Sequence, residues 1–455
     1  MTFTNLGLRP ELLQAVERQG YTRPTPIQLK SIPVILDKKD ILGGAQTGTG
    51  KTAAFTLPLL QNLSSNGLEK SKHPRALIIA PTRELANQIR QSIVEYGQFL
   101  PYNSAAIFGG VKIGGQINWL RQGLDIVVAT PGRLLDHINQ KTINLSKVEY
   151  LILDEADRML DMGFIRDIRK IISRLPAKRQ NMLFSATYNK EIKKLSTELL
   201  HRPVLVEVNP QNSAADTVEQ VVYNVEKSQK QHLLSYMIKE ESWYQVLVFT
   251  RTKYGASKLS KQLNKAGIKS SDIHGNKSQN ARTKALKEFK EGQLQALVAT
   301  DIAARGLDIA KLTHVVNFDL PNAAEDYIHR IGRTGRAGAD GQAISFCSHD
   351  ERSQLWSIEK LLDRKIPVKK AEGFVPPPAP VQNQQNNQGR PATRNRAQNS
   401  GRPQARTQDG SRPQSRSQSN NRPTDSRRKI AGGKTDGGKF YSPEKRATTR
   451  ASGSR

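Results

Sequence analysis

Up to about residue 365, short apolar runs alternate with longer segments of helical periodicity. One set of runs covers residues 76–80, 126–129, 150–153 and 181–184, and a second covers 245–249, 296–299, 314–317 and 343–346. Runs this short, rich in Val, Ile and Leu and without polar alternation, predict strands buried on both faces. Such strands are parallel and need crossover helices, so the expected class is α/β. The helical type is seen at residues 10–19, where Pro10 falls in the first turn, Leu12, Leu13 and Val16 share one side and Gly20 is a stop signal.

The two sets are separated by a polar, turn-rich stretch, which predicts a first domain over 1–208, a linker over 209–216 and a second domain over 217–368. After Phe374 the composition turns to Pro, Gln, Asn, Ser and Arg with almost no large aliphatics. Such a segment cannot bury enough apolar surface to offset its ordering entropy, so residues 369–455 are expected to be a disordered basic tail. It carries a loose repeat, Arg390-Pro391, Arg402-Pro403, Arg412-Pro413 and Arg422-Pro423. Its alternative roles are a solubilising linker and a flexible arm that contacts phosphates.

The whole chain has a formal net charge of +29, which favours a polyanionic partner, although charge alone also suits other surfaces. The tail holds 19 Lys and Arg against 5 Asp and Glu, so it is far more basic per residue than the body. The single cysteine, Cys347, excludes an intramolecular disulfide and any Cys-rich zinc site. The N-terminus lacks a signal-peptide layout, and no apolar run approaches the ~20 residues that span a bilayer. A soluble, cytoplasmic chain with no membrane or disulfide partner is expected.

Candidate chemistry appears where strands end. Ile41-Leu-Gly-Gly44 leads into Ala45, Gln46, Thr47, Gly48, Thr49, Gly50, Lys51 and Thr52, then an apolar helix. A Gly-rich turn from strand to helix aims backbone N–H groups at phosphate, with Lys51 for the β- and γ-phosphates and the Thr52 hydroxyl for Mg²⁺. Ala45 stands where the general pattern opens with Gly. About a hundred residues later the run 150–153 ends in Asp154 and Glu155. An isolated Asp-Glu could simply end a strand in a solvated turn. Two carboxylates at the end of a buried strand beside a phosphate loop need a reason, since burying them unpaired is costly. Mg²⁺ held by Asp154 supplies one, leaving Glu155 to orient and deprotonate an attacking water.

Asp154-Glu-Ala-Asp157 and the phosphate loop together resemble the DEAD-box RNA helicases of superfamily 2, in finer detail the bacterial RhlE subgroup. The resemblance implies two tandem RecA-like domains, each a parallel sheet flanked by helices, with ATP and Mg²⁺ as ligands. It makes Gln28, Thr25, Tyr21 and Phe3 an adenine-reading segment. It places Pro81, Thr82, Arg83, Gly109, Gly110, Thr130, Pro131, Gly132 and Arg133 on the RNA backbone from the first domain. From the second domain it places Thr250, Arg251, Gln279, Arg282, Thr300 and Asp301 there. Asp157, Ser185, Thr187 and His329 would couple hydrolysis to domain contact, Asp308 would bond the ribose, and Arg333 and Arg336 would be arginine fingers. The implied partner is the phosphate-sugar backbone of one RNA strand, in the setting of ribosome-assembly or RNA-decay complexes. The implied activity is RNA-stimulated ATP hydrolysis with local unwinding of short duplexes or remodelling of RNA-protein complexes, with little sequence preference.

Overall fold

Two parallel sheets of seven strands form the body of the protein, and they are built alike. The computed structural model describes residues 1–45, 48–65, 72–208, 218–304, 307, 309, 312–335 and 341–376. The first sheet has β1 (Ile41–Gly44), β2 (Ala76–Ile79), β3 (Ser104–Ile107), β4 (Ile126–Ala129), β5 (Tyr150–Leu153), β6 (Gln180–Ser185) and β7 (Val204–Glu207), in the spatial order β3-β4-β2-β5-β6-β1-β7. The second has β8 (Glu219–Asn224), β9 (Val246–Phe249), β10 (Ser270–Ile273), β11 (Ala296–Ala299), β12 (His314–Asn317), β13 (Gln342–Cys347) and β14 (Val368–Lys369), in the order β10-β11-β9-β12-β13-β8-β14. Counted from the first strand of each sheet, the two orders are the same. The chain thus folds as two tandem RecA-like domains.

The apolar runs work as expected because each sheet is covered on both faces. In β2, Ala76 and Ile78 enter one core while Leu77 and Ile79 enter the other, and in β5 Tyr150 and Ile152 oppose Leu151 and Leu153 in the same way. The second sheet repeats this with Val246 and Val248 against Leu247 and Phe249. Every residue of β2, β4, β5, β9 and β11 is buried. The helix at the N-terminus runs Pro10–Arg18, and Gly20 follows it with φ +75°.

Besides β1, five strands, β3, β7, β8, β10 and β14, fall outside the apolar runs. β3 (Ser-Ala-Ala-Ile) and β10 (Ser-Ser-Asp-Ile) are outermost in their sheets, where small and polar side chains suffice. Packing in the second domain continues past 368: Val368 and Lys369 pair with β8, and the Phe374 ring lies 5.6 Å from that of Tyr236. The expected linker at 209–216 lies outside the described residues, as does the tail from 377 onward. Among the described residues no helix is long and apolar enough to cross a membrane.

Strand order decides what can form at the carboxyl edge of each sheet, where α/β proteins place their ligands. In the first sheet the neighbours β5-β6-β1 bring three loops side by side: Asp154-Glu155, Ser185-Ala-Thr187 and the turn that opens helix Lys51–Ser65. The other half, β3-β4-β2, gathers Gly109-Gly110, Thr130-Pro131 and Pro81-Thr82. In the second sheet β10-β11-β9 gathers the loops after Ile273, Ala299 and Phe249 in the equivalent place.

Candidate active site and nucleic-acid interface

The turn after β1 is shaped by two glycines with positive φ, Gly48 at +85° and Gly50 at +93°. Gly50 also has no room for a side chain: a Cβ would lie 2.5 Å from Gln28 Nε2 and 2.9 Å from Thr25 Oγ1. Gln28 is buried against this turn. Its Nε2 donates to Gly50 O at 3.1 Å, and its Oε1 accepts from Thr25 N–H at 2.9 Å. A primary amide has two N–H groups and two oxygen lone pairs. One of each therefore remains for a further partner, on an amide held rigidly by the bonds already made.

Lys51 is 6% exposed, and its Nζ has no hydrogen-bond partner among the described residues. A buried ammonium in that state calls for an anionic ligand. Asp154 has the opposite problem. Burial pushes its carboxyl up to about 6, Lys51 partly offsets this, and the nearby Glu155 carboxylate adds to it. A cation placed there would relieve both carboxylates. Glu155 adopts φ +52° and ψ +52°, a left-handed conformation uncommon for a non-glycine, as it turns the chain into helix Ala156–Asp161. Thr52 sits half-buried one residue into helix Lys51–Ser65.

One cleft of about 430 Å³ joins these groups. Phe3, Tyr21, Thr25, Gln28, Gly48, Gly50, Lys51, Thr52, Asp154 and Glu155 line it from the first domain, and Leu307 and Arg333 line it from the second. Arg333 is buried and donates from Nη1 to Leu307 O at 3.0 Å. Thr49 is half-buried on the same turn. Gln46, Thr47, Asp308 and Arg336 lie outside the described residues.

Asp157 ties two of the three loops together. Its Oδ2 accepts from Ala186 N at 3.2 Å, Thr187 N at 3.1 Å and Thr187 Oγ1 at 3.2 Å, while Ser185 Oγ donates to Thr187 O. The next residue, Arg158, crosses to the second domain. Its Nη1 donates to Asp161 Oδ2 at 3.1 Å and to Asp326 Oδ1 at 3.0 Å, with the Arg158 side chain 6% exposed. Asp326 stands on helix Ala324–Ile331 one turn before His329 and Arg330, and all three border a small pocket with Arg333. Arg330 is fully buried. It grips both carboxylate oxygens of Asp301 at 2.6 and 2.7 Å, reaches Asn317 Oδ1 at 3.1 Å, and lies 5.0 Å from the Phe249 ring centre. The Asp301 carboxylate is thus spent on positioning the loop it belongs to.

The other halves of the two edges meet through a second cluster. Arg282 Nη2 pairs with Glu84 Oε2 at 2.8 Å, Gln279 Nε2 donates to Glu84 Oε1 at 2.8 Å, and Arg83 Nη1 donates to Gln279 Oε1 at 3.3 Å. Burial, Arg282 and Arg133 together hold the Arg83 guanidinium below the usual arginine range, with Glu84 opposing. Gly110, at φ +78°, passes so close under Arg83 that a Cβ would meet Nη1 at 2.0 Å. Arg133 fixes this loop through Val111 O at 3.2 Å and Gln116 Oε1 at 3.1 Å. Thr82, Thr130, Thr250 and Thr300 are buried, as are Pro81 and Pro131, whereas Gly109 is half-buried and Gly132 exposed. Arg251 is turned toward its own domain, donating to Leu320 O at 3.2 Å and Glu351 Oε1 at 2.8 Å.

Glu84, Arg158, Asp326 and Arg330 were not singled out in sequence. Each lies inside or beside a motif that was, which is the only signal the chain offers for them.

Two family models match the chain: DEAD/DEAH box helicase over residues 25–195, and helicase conserved C-terminal domain over residues 229–338. The DEAD-box ATP-dependent RNA helicase CshA of Geobacillus kaustophilus is 43% identical over 365 residues, 80% of this chain and 77% of that protein. CshA of Bacillus subtilis is 43% identical over 366 residues, 80% of this chain and 73% of that one. Among solved structures, S. cerevisiae Dbp5 bound to RNA and ADP BeF3 aligns with TM-score 0.72 and 31% identity over 81% of this chain and 95% of that one. The DEAD-box helicase Mss116 bound to ssRNA and UDP-BeF aligns with TM-score 0.75 and 29% identity over 82% and 81%. These relatives correct the expected subgroup, since they are CshA helicases and not RhlE. With both domain models matched in order and the nucleotide cleft assembled between the two sheets, this chain belongs to the DEAD-box ATP-dependent RNA helicases.

Proposed function

We propose that the protein hydrolyses ATP in a reaction gated by RNA and uses the resulting domain closure to open short RNA duplexes or remodel RNA-protein complexes. The observation that carries this is the shared cleft. Lys51, Asp154 and Glu155 come from the first domain and Arg333 from the second, so neither domain alone holds a complete site. Arginines supplied across a cleft in this way contribute about 10³–10⁵ in rate. RNA that touches both domains favours the closed form, and linkage makes ATP and RNA mutually reinforcing.

The residues present fit ATP with Mg²⁺. The orphaned Lys51 Nζ suits the β- and γ-phosphates, and Thr52 with the buried Asp154 suits Mg²⁺. When bound, that ion neutralises phosphate charge and polarises the transferring group. Glu155 takes the proton of the attacking water, and Arg333, with Arg336, meets the developing charge. Gln28 and Thr25 read adenine beside Phe3 and Tyr21, and Asp308 bonds the ribose. Asp157, Ser185, Thr187 and His329 transmit the change at the phosphate to the domain contact.

RNA lies along the β3-β4-β2 and β10-β11-β9 halves of the two edges. Arg83, Arg133 and Arg282 gather positive charge beside Gly109 and Gly110, and Pro81, Thr82, Thr130, Pro131 and Gly132 complete the first-domain grip. Thr250, Arg251, Gln279, Thr300 and Asp301 shape the second-domain surface. None of these is a base-reading set, so binding follows backbone and salt rather than sequence. A cytoplasmic role in ribosome assembly or RNA decay suits this activity.

The test is the ATPase rate with ATP or GTP, with and without RNA, for wild type, Gln28→Ala and Glu155→Gln. RNA should stimulate the wild type, and GTP should be a poor substrate. Gln28→Ala should lose ATP preference, and Glu155→Gln should fall by roughly 10²–10⁴. Equal use of GTP by the wild type would overturn the adenine assignment, and an active Glu155→Gln would overturn the catalytic one. A chaperone reading, with an incidental ATPase, instead requires that deleting 375–455 abolish activity; a helicase keeps its RNA-stimulated ATPase.

A further inference from the structure

Helix Lys253–Lys265 begins where β9 ends, immediately after Thr250 and Arg251, and runs away from the carboxyl edge of the sheet. Its sequence holds Lys253, Lys258, Lys261 and Lys265 and no acidic residue. Tyr254, Lys258, Lys261 and Lys265 are spaced at i, i+4, i+7 and i+11, so they form one stripe, roughly 16 Å long at 1.5 Å per residue. All four are exposed, and Tyr254, at 78%, is the most exposed aromatic among the described residues.

Charged helix faces are usually just solvated, but such faces mix signs. The following helix, Gln279–Lys290, does so, with Lys284 3.6 Å from Glu288 and Lys287 3.7 Å from Glu291. Among the described residues Lys258, Lys261 and Lys265 have no ion-pair partner. Lysines three and four apart repel, and Lys253 stands at the positive end of the helix dipole. Lys265, in the last turn, gains from the dipole, but the repulsion along the stripe is offset by no ion pair among the described residues. An exposed aromatic followed by a line of cations matches a strand of nucleic acid, which offers a base to stack and phosphates to pair.

We propose that this face is a second RNA-binding surface, on which a single strand leaving the second-domain grip stacks a base on Tyr254 and lays its phosphates along Lys258, Lys261 and Lys265. Lys253 marks the junction, since its Nζ donates to Asn276 Oδ1 at 3.0 Å in the loop after β10, on the gripping edge. The proposal rests on the RNA reading above and extends it beyond the core footprint.

The test compares oligouridines of about 6 and about 20 nucleotides, the shorter sized to the core alone. Binding by full-length protein is followed by fluorescence anisotropy with a non-hydrolysable ATP analogue present. Tyr254→Ala should weaken the long oligomer roughly tenfold and leave the short one unchanged, while Tyr254→Phe keeps the affinity. The triple variant Lys258→Gln, Lys261→Gln, Lys265→Gln should lower the salt slope on the long oligomer by about 2. Equal loss on both lengths, or loss on neither, overturns the proposal. So does loss of polyglutamate binding with RNA binding intact, which would assign the face to an acidic protein. If the wild type binds neither oligomer, the RNA reading itself fails, and this result is distinct from an unaffected variant.

Discussion

Asp326→Asn should separate domain closure from the chemistry. The Arg158 to Asp326 contact spans 168 residues and joins the position after the Asp154–Asp157 segment to the helix that carries His329 and Arg330. At 3.0 Å, with an effective dielectric near 20, the Coulomb attraction is about 5 kcal/mol before desolvation. Three features reduce that figure. Asp326 is 20% exposed, desolvation offsets part of the gain, and Arg158 keeps Asp161 at 3.1 Å within its own domain. A net loss of about 1.5–3 kcal/mol remains, or roughly 10- to 150-fold in the closure equilibrium. Because Asp161 still serves Arg158 when the domains part, the loss falls on the closed form alone. RNA affinity should therefore weaken by at least about tenfold in the presence of a non-hydrolysable ATP analogue and change little in its absence. Thermal melting should also stay near that of wild type. A double-mutant cycle with Arg158→Met should return a coupling of the same size. If Asp326→Asn weakens RNA binding equally with and without the analogue, or in neither case, the pair does not hold the closed form.

Three further outcomes follow from named contacts. Gly50→Ala would require a left-handed backbone and push its methyl to 2.5 Å from Gln28 Nε2; ATP affinity should fall at least about tenfold by isothermal titration, with the melting temperature moving little. Asp157→Asn removes acceptor capacity from an oxygen that takes three hydrogen bonds, so duplex unwinding should drop by about tenfold or more while ATP affinity stays within about twofold. Glu351 is buried with Lys230 and also pairs with Arg251. Burial would raise its pKa, but Lys230 and Ser348 outweigh this and hold it below the usual carboxylate range. A depressed folded pKa adds stability above the unfolded value of about 4.3, and that stability is lost as pH falls through the folded value. Glu351→Gln should thus cost about 2–4 kcal/mol in denaturant melts at pH 7, shrinking below about pH 4.

What could be read from the chain was set by local burial and local turn geometry. The runs ending at Leu153 and Ala129 are buried on both faces over their whole length, so hydrophobicity alone marks them as central parallel strands. The turn around Gly48 and Gly50, and the acidic pair at Asp154 and Glu155, are chemistry written in contiguous residues. Edge strands Ser104–Ile107 and Ser270–Ile273 were silent because an outer strand needs less apolar surface, and their small polar side chains look like loop.

Tertiary structure decided the pairings between distant loops. Arg282 with Gln279 was expected at the RNA surface, yet both spend polar atoms on Glu84 across the domain interface. Asp301 serves Arg330, Arg251 serves Glu351, and Arg158 finds Asp326, each through contacts between segments tens to hundreds of residues apart. No periodicity encodes such pairs. Their partners are fixed by which strand ends become neighbours, and that order, β3-β4-β2-β5-β6-β1-β7 and its repeat, is a property of the packed sheets rather than of any stretch of sequence.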